Sequence, residues 1–439
     1  MDKKVTSVTG PLPGPRSKEL FTRWARVEAQ CAGYQARVAW DHASGVVVTD
    51  VDGNTFIDWT SGVLVTNVGH CHPDLVKAVQ VAAAKLLNNY ECLHPWRVIA
   101  AEKLTSVLPP HLDKCFFLTT GSEVVEGAIR IMKRKTGKFE IISFYGGFHG
   151  RTSAAAGAGG LPGPKKGYGP TLPGSIRVPF PNCYRCPFHA EPTTCDMLCL
   201  DYLEDAVRAT STGSLAGLIV EPYQGAAGFI FPPEGWLKRL EQWLRGRGLL
   251  FTLDEVQSSF GRTGKFWAME SEGLTPDLVS IGKGIGSGVP ASAIAARGEV
   301  IGTLGAGEMS STMGGNPLAC AAVIAVIEIM QREHLEENAL RIGKLMKSRL
   351  LEMQEKSPYV GEVRGRGLVM GVELVKDKKT KEPAPDLTRK LIDLAAENGL
   401  LIGSVGTFGN VIRVAPPLVI SAAEAHESLD IFAKALSLL

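Results

Sequence analysis

No uninterrupted apolar stretch in the 439 residues is long enough to cross a bilayer, so no membrane-spanning helix is expected. An excess of one charge is also missing. Lys and Arg number 47 against 45 Asp and Glu, a net charge of +2, so neither nucleic acid nor an anionic membrane is expected as a partner. The chain has no internal repeat, no low-complexity tract and no Gly-x-x-x-x-Gly-Lys-Ser/Thr nucleotide loop. The run Gly157-Ala158-Gly159-Gly160-Leu161-Pro162-Gly163 misses the dinucleotide spacing by one residue and puts a proline where a helix should begin. No apolar signal core follows Met1-Asp2-Lys3-Lys4; a Pro/Gly-rich stretch at 10–15 comes instead. We expect a cytoplasmic protein whose residues 1–16 form a loose or partner-draped arm. The nine cysteines are scattered, which suits a reducing compartment. Four cluster as Cys183-x-x-Cys186 and Cys195-x-x-x-Cys199. They could clip a zinc ion or be free or packed thiols of a surface insertion. Only one half has the usual two-residue spacing, so no metal is assigned.

What the chain does have is a change of pattern near residue 100. Short apolar runs at 115–118, 141–144, 218–220, 249–253 and 278–281 alternate with amphipathic stretches such as 124–132 and 237–244. Strands alternating with helices predict crossover units and a mostly parallel sheet, an α/β fold. Upstream, 46–49 and 55–57 flank Asp52-Gly53, a hairpin signal. Downstream, helices near 318–330, 340–353, 387–396 and 422–435 mix with strands near 368–374, 400–402 and 411–414. We expect residues 66–325 to form a large domain and 326–439 a smaller α+β domain, joined by an N-terminal segment at 17–65.

In open parallel sheets, ligands bind outside the carboxyl ends of the strands. Each of the five runs is followed there by chemically useful residues. After the first come Thr120 and Glu123 at capping-box spacing. Gly121 and Ser122 could then offer N–H groups and a hydroxyl to a phosphate, although the same pattern also makes a plain helix cap. After the second come Phe148 and His149 among glycines, an aromatic face for a flat ring or simply a Gly-rich turn with a core Phe. Glu221 follows the third, Asp254 ends the fourth and Lys283 follows the fifth inside Ile281-Gly282-Lys283-Gly284. A lysine amine forms a Schiff base with an aldehyde, and a buried carboxylate holds a pyridinium nitrogen protonated. Lys283 and Asp254 are therefore the two protein groups that a pyridoxal phosphate site needs.

The chain from about residue 35 onward resembles the class III (ω-amino-acid group) aminotransferases of pyridoxal-phosphate fold type I. The resemblance is carried by Leu253-Asp254-Glu255-Val256-Gln257, by Phe260-Gly261-Arg262-Thr263-Gly264, by Pro276-Asp277 and by Ser280-Ile281-Gly282-Lys283-Gly284. Gly69-His70-Cys71-His72-Pro73 and Gly314-Gly315-Asn316-Pro317 add to it. It implies a large domain with a mostly parallel sheet flanked by helices plus a smaller α+β domain. It implies a ping-pong transfer of an amino group from an α- or ω-amino acid to a 2-oxo acid, 2-oxoglutarate or pyruvate, through pyridoxamine phosphate. Lys283 would carry the cofactor and move the proton, and Asp254 would pair with the ring nitrogen. Val256 would pack under the ring, Gln257 would sit near its hydroxyl, and Gly121 and Ser122 would bind its phosphate. Phe148, His149 and Glu221 would line the cofactor. Thr312 would reach the cofactor phosphate of a neighbouring subunit, which implies a homodimer, or a tetramer, with shared sites. Arg413 matches an arginine that grips a substrate carboxylate.

The departures from the family pattern bear on substrate. Phe148 stands where many members have Tyr. Ala226 stands where many carry a Glu that neutralises the arginine, which favours α-amino acids or substrates that always present a carboxylate. The C-terminal third is similar to dialkylglycine decarboxylase, but Val63 and Phe148 occupy positions where that enzyme has Gln and Trp. Racemases and epimerases of the fold share nearly all these motifs and remain an alternative. A pyridoxal-phosphate-binding regulator would need a DNA-binding domain, for which the N-terminal segment is too short.

Overall fold

The computed structural model describes residues 4–31, 33 and 35–439. The chain forms two units: Pro73–Glu333, and a two-segment unit that joins the chain up to His72 with His334–Leu439.

The mid-chain unit is built on seven strands: β1 (Lys114–Leu118), β2 (Glu140–Phe144), β3 (Ser175–Val178), β4 (Leu215–Val220), β5 (Leu250–Asp254), β6 (Leu278–Ile281) and β7 (Ser292–Ala296). Their order across the sheet is β1-β7-β6-β5-β4-β2-β3. The pairs β6–β5, β5–β4, β4–β2 and β2–β3 are parallel, whereas β7 runs antiparallel to both β1 and β6. All of β2, β6 and β7 is buried, so none of these strands shows the regular polar alternation of a half-exposed strand.

The helix after β1, Gly121–Thr136, starts at a complete capping box between Thr120 and Glu123. It ends at Gly137 (φ +68) with Lys133, Arg134 and Lys135 in its last turn, favourable at the negative end of the helix. It buries Val124, Val125, Ile129 and Met132. Gly127 lets it close on β7, since a Cβ there would lie 2.5 Å from Ile294 Cδ1.

Asp277 locks the amino ends of β5 and β6. Its carboxylate accepts from Phe251 N at 2.9 Å, from Arg245 Nη1 at 2.8 Å and from Arg297 Nε at 3.0 Å. This hub fixes the register of β5 against β6. Asp254 and the backbone leading to Lys283 therefore leave the sheet side by side.

In the two-segment unit, Trp40–Ser44, Val47–Asp50, Thr55–Asp58 and Leu400–Leu401 make one four-stranded sheet. The hairpin turns at Gly53 (φ +88), and its second strand pairs in parallel with Leu400–Leu401. A second sheet orders Val360–Arg366, Val369–Leu374, Val411–Val414 and Gly403–Val405. Helices Leu335–Lys356, Pro385–Glu397 and Ala422–Leu436 complete the unit.

Of the expected loose arm, residues 1–3 lie outside the described residues. The rest is tied down. Thr6 Oγ1 donates to Glu427 Oε1 at 2.6 Å, Ser7 bridges Thr55, and Thr9 N donates to Asn54 Oδ1 at 2.9 Å. A helix then begins at Pro15. The Thr6 side chain and the backbone of Ser7 and Thr9 serve here as hydrogen-bond partners of the unit.

Candidate active site

The carboxyl ends of β1, β2, β4, β5 and β6 surround a cavity of about 300 Å³ in the mid-chain unit. Its walls include Gly121, Ser122, Phe148, His149, Glu221, Ala226, Asp254, Val256, Gln257 and Lys283, so ten of the predicted residues are brought together. Thr312 is exposed and does not line this cavity. Val63 and Arg413 belong to the two-segment unit.

Lys283 sits two residues beyond β6 in a left-handed conformation (φ +46), a strained state for a residue with a Cβ. Glycines flank it. A Cβ at Gly282 would lie 3.1 Å from Val256 Cγ1, and one at Gly121 would lie 3.0 Å from the same methyl. Both are tighter than an ordinary contact. The two glycines thus let Val256 form the floor between the helix start and the lysine.

Asp254, the last residue of β5, is 4 % exposed. One oxygen accepts from Val256 N at 3.1 Å; the other lies 2.7 Å from His149 Nδ1. Burial lowers the His149 pKa, but the hydrogen bond and charge of Asp254, joined by the charge of Glu221, outweigh it and hold the imidazole above its ordinary value. Glu221 accepts from Phe148 N at 2.9 Å and Gly225 N at 3.1 Å. Burial still pushes its pKa up to about 7, with His149 pulling down and Asp254 adding to the rise.

Gly150 has φ +138, and a Cβ there would overlap Ser122 Oγ, which accepts from Arg151 N at 3.1 Å. The loop after β2 therefore closes on the helix start only because residue 150 is glycine. The Gln257 side-chain carbonyl is buried and has no hydrogen-bond partner among the described residues.

These observations fit pyridoxal phosphate. A half-buried amine, a buried carboxylate held by a histidine, the helix start at Gly121 and Ser122, and an amide oxygen with no hydrogen-bond partner among the described residues line one cavity. Tyr223 and Arg151 also line it and were missed from sequence. Tyr223 is two residues past Glu221, and burial raises its hydroxyl pKa well above the ordinary value. Arg151 follows Gly150, with its guanidinium carbon 5.8 Å from the Phe148 ring centre.

In the two-segment unit, Arg413 is 2 % exposed, and its Nε and Nη2 have no hydrogen-bond partner among the described residues. Burial lowers its pKa to about 10, with Asp58 acting in the opposite sense. Val63 is 48 % exposed and lies in Ser61–Leu64, four consecutive residues with positive φ. Cys183, Cys186, Cys195 and Cys199 line a separate cavity of the mid-chain unit. Among the described residues no group of three or more His, Cys, Asp or Glu is placed to hold a metal. Cys199 Sγ instead accepts from Trp236 Nε1 at 3.2 Å, and burial raises its thiol pKa to about 11.

Residues 30–436 match the family described as Aminotransferase class-III. A Pyrococcus horikoshii protein named alanine/serine racemase is 37% identical over 434 residues, covering 97% of this chain and 91% of its own. A Mycobacterium leprae protein named 4-aminobutyrate aminotransferase is 37% identical over 435 residues, covering 97% and 96%. The solved structure of an (S)-enantioselective omega-transaminase from Thermomicrobium roseum superposes with a TM-score of 0.90 at 30% identity, over 98% of this chain and 99% of that one. With the cavity chemistry, these likenesses place the chain in the class III aminotransferases, pyridoxal-phosphate-dependent enzymes of fold type I.

Proposed function

We propose that the protein moves an amino group from a carboxylate-bearing amino acid, with a bias toward α-amino acids, to a 2-oxo acid such as 2-oxoglutarate or pyruvate. The observation that carries this reading is the single cavity shared by Lys283, the His149-held Asp254 and the Gly121–Ser122 cradle. When bound, pyridoxal phosphate supplies an electron-withdrawing ring that makes the substrate Cα proton acidic. Lys283 would hold the cofactor and take that proton. Asp254, oriented by His149, would set its negative charge against the ring nitrogen. Val256 and Phe148 would pack on the ring, Gln257 would meet its hydroxyl, and Gly121 and Ser122 would hold its phosphate. Arg413 grips the substrate carboxylate and fixes its orientation. The bias toward carboxylate-bearing donors rests on buried Arg413 and on alanine at 226.

Two further readings belong here. The cytoplasm is the proposed compartment, supported by the balanced charge and scattered cysteines; among the described residues no helix is long and apolar enough to cross a membrane. A homodimer is proposed, with Thr312 serving the other subunit's phosphate. Support comes from Val81, Leu86, Leu87 and Leu93, exposed apolar residues within thirteen positions, Leu93 being 78 % exposed. Racemisation is the second reading, favoured by the likeness to a named racemase.

The test mixes the pyridoxal-phosphate form with single amino acids and follows keto acid release. Keto acid in proportion to enzyme supports transfer; loss of chirality without keto acid supports racemisation. An unchanged visible absorbance band in Lys283→Ala would overturn the assignment of Lys283. A terminal amine lacking a carboxylate as best donor would overturn the substrate bias.

A further inference from the structure

Arg413 is a charged group in a place that ordinarily excludes one. It is 2 % exposed, and two guanidinium nitrogens have no hydrogen-bond partner among the described residues. Among the described residues no carboxylate forms an ion pair with it. A buried unpaired charge is costly unless a field of opposite sign offsets it.

That field has a clear source in the same unit. Asp58 closes the strand Thr55–Asp58 and is completely buried. Its negative charge works against the burial cost of Arg413. The backbone ties the two segments together: Ala415 N donates to Trp59 O at 2.8 Å, and Ser61 Oγ donates to Ala415 O at 2.6 Å. Residues 58–61 are thereby fastened to the strand end that carries Arg413.

Asp58 is also held in place. Its Oδ1 accepts from Thr60 N at 2.6 Å, and its Oδ2 lies 2.9 Å from His70 Nε2. Both oxygens are thus held toward Thr60 and His70, and no direct ion pair with the guanidinium is found among the described residues. The arginine's own donors stay open while its charge is balanced from a distance. That combination suits a site that must accept and release an anion, since a direct ion pair would have to be broken at every binding event.

We propose that Asp58 is the standing counter-charge of Arg413, a positioning residue that sets how strongly the guanidinium seeks a substrate carboxylate. The inference rests on the reading of Arg413 as the carboxylate-binding group. Asp58 touches no substrate; it acts through Arg413.

Propionate, a carboxylate without an amino group, is the probe, and its inhibition constant against the amino donor in the cofactor-loaded enzyme is the readout. Removing the counter-charge in Asp58→Asn should tighten propionate at least about threefold, because Arg413 loses its offsetting field. Asp58→Glu should stay near wild type. A purely structural role would weaken propionate or leave it unchanged, and either result for Asp58→Asn overturns the proposal. Asp58→Ser, which keeps an acceptor for Thr60 N, stands in if Asp58→Asn does not fold. Failure of both neutral variants to fold beside a folded Asp58→Glu would make Asp58 architectural, and also overturns it. Arg413→Met, run in parallel, tests the underlying reading separately. Unchanged propionate inhibition there removes Arg413 as the anion site, whatever Asp58 does.

Discussion

Replacing His149 tests the least obvious part of the site. Its Nδ1 lies 2.7 Å from Asp254 Oδ2, and both residues are 4 % exposed. A hydrogen bond to a buried charged group contributes about 1.5–3 kcal/mol. His149→Leu removes it and leaves one Asp254 oxygen without a donor, which disfavours the ionised carboxylate. If that loss falls on the catalytic state, kcat drops about 10- to 150-fold, at roughly 1.4 kcal/mol per factor of ten. His149→Asn places its side-chain amide near the position of Nδ1 and keeps the bond without the imidazole, so its kcat should fall by less than about fivefold. The assay is steady-state kcat at saturating pyridoxal phosphate, with thermal unfolding as a check that both variants fold. A folded, cofactor-saturated His149→Leu with wild-type kcat would refute the reasoning that His149 acts through Asp254.

Two more outcomes follow from the same walls. Burial holds Glu221 at about 7, above its unfolded value, so its neutral form favours the folded state. That stability is complete below about pH 4.5 and is lost as pH rises through 7; it amounts to something on the order of 3 kcal/mol. Glu255, also raised to about 7 by burial, adds a second contribution of the same sign. The melting temperature of the cofactor-free protein should therefore fall between pH 5 and 7.5, and Glu221→Gln should remove about half of that slope; an unaltered slope would show that Glu221 ionises normally. Gly150→Ala, whose Cβ would overlap Ser122 Oγ, should weaken pyridoxal phosphate binding at least about tenfold. Fluorescence titration measures this, and wild-type affinity would mean that Ser122 does not depend on that close approach.

How much of this was legible in the sequence depended on whether a signal was local. The five strands that end at the cavity were readable because each contains an apolar run, its carboxyl end is buried, and its functional residue follows within a few positions. β7 was not readable. Its residues, Ser292-Ala293-Ile294-Ala295-Ala296, are mostly small because the helix Gly121–Thr136 closes on them through Gly127, so a tertiary demand erased the strand signature. His149 was readable as a cavity residue but not as the partner of Asp254, which is 105 positions away. The run Ser61–Leu64 gave no warning of four successive positive φ angles, since only Gly62 favours them. Asp277 was visible only as part of a motif; its role as the hub of β5 and β6 required Arg245 and Arg297, from separate segments.

The likenesses to a named racemase and to a named aminotransferase stand at the same 37% identity, so overall similarity does not separate the two chemistries. The cavity walls do more. Racemisation needs proton carriers on both faces of the ring, whereas amino transfer needs one that serves a single face. Lys283 is the amine on these walls. The buried titratable groups beside it are committed: His149 is bonded to Asp254, Glu221 accepts from Phe148 N and Gly225 N, and the Tyr223 hydroxyl donates to Gln257 O at 3.4 Å. A group already spent on holding its neighbours gives up a proton only by breaking those bonds. On the walls of this unit the balance therefore falls to one carrier, and with it to amino transfer over exchange of configuration.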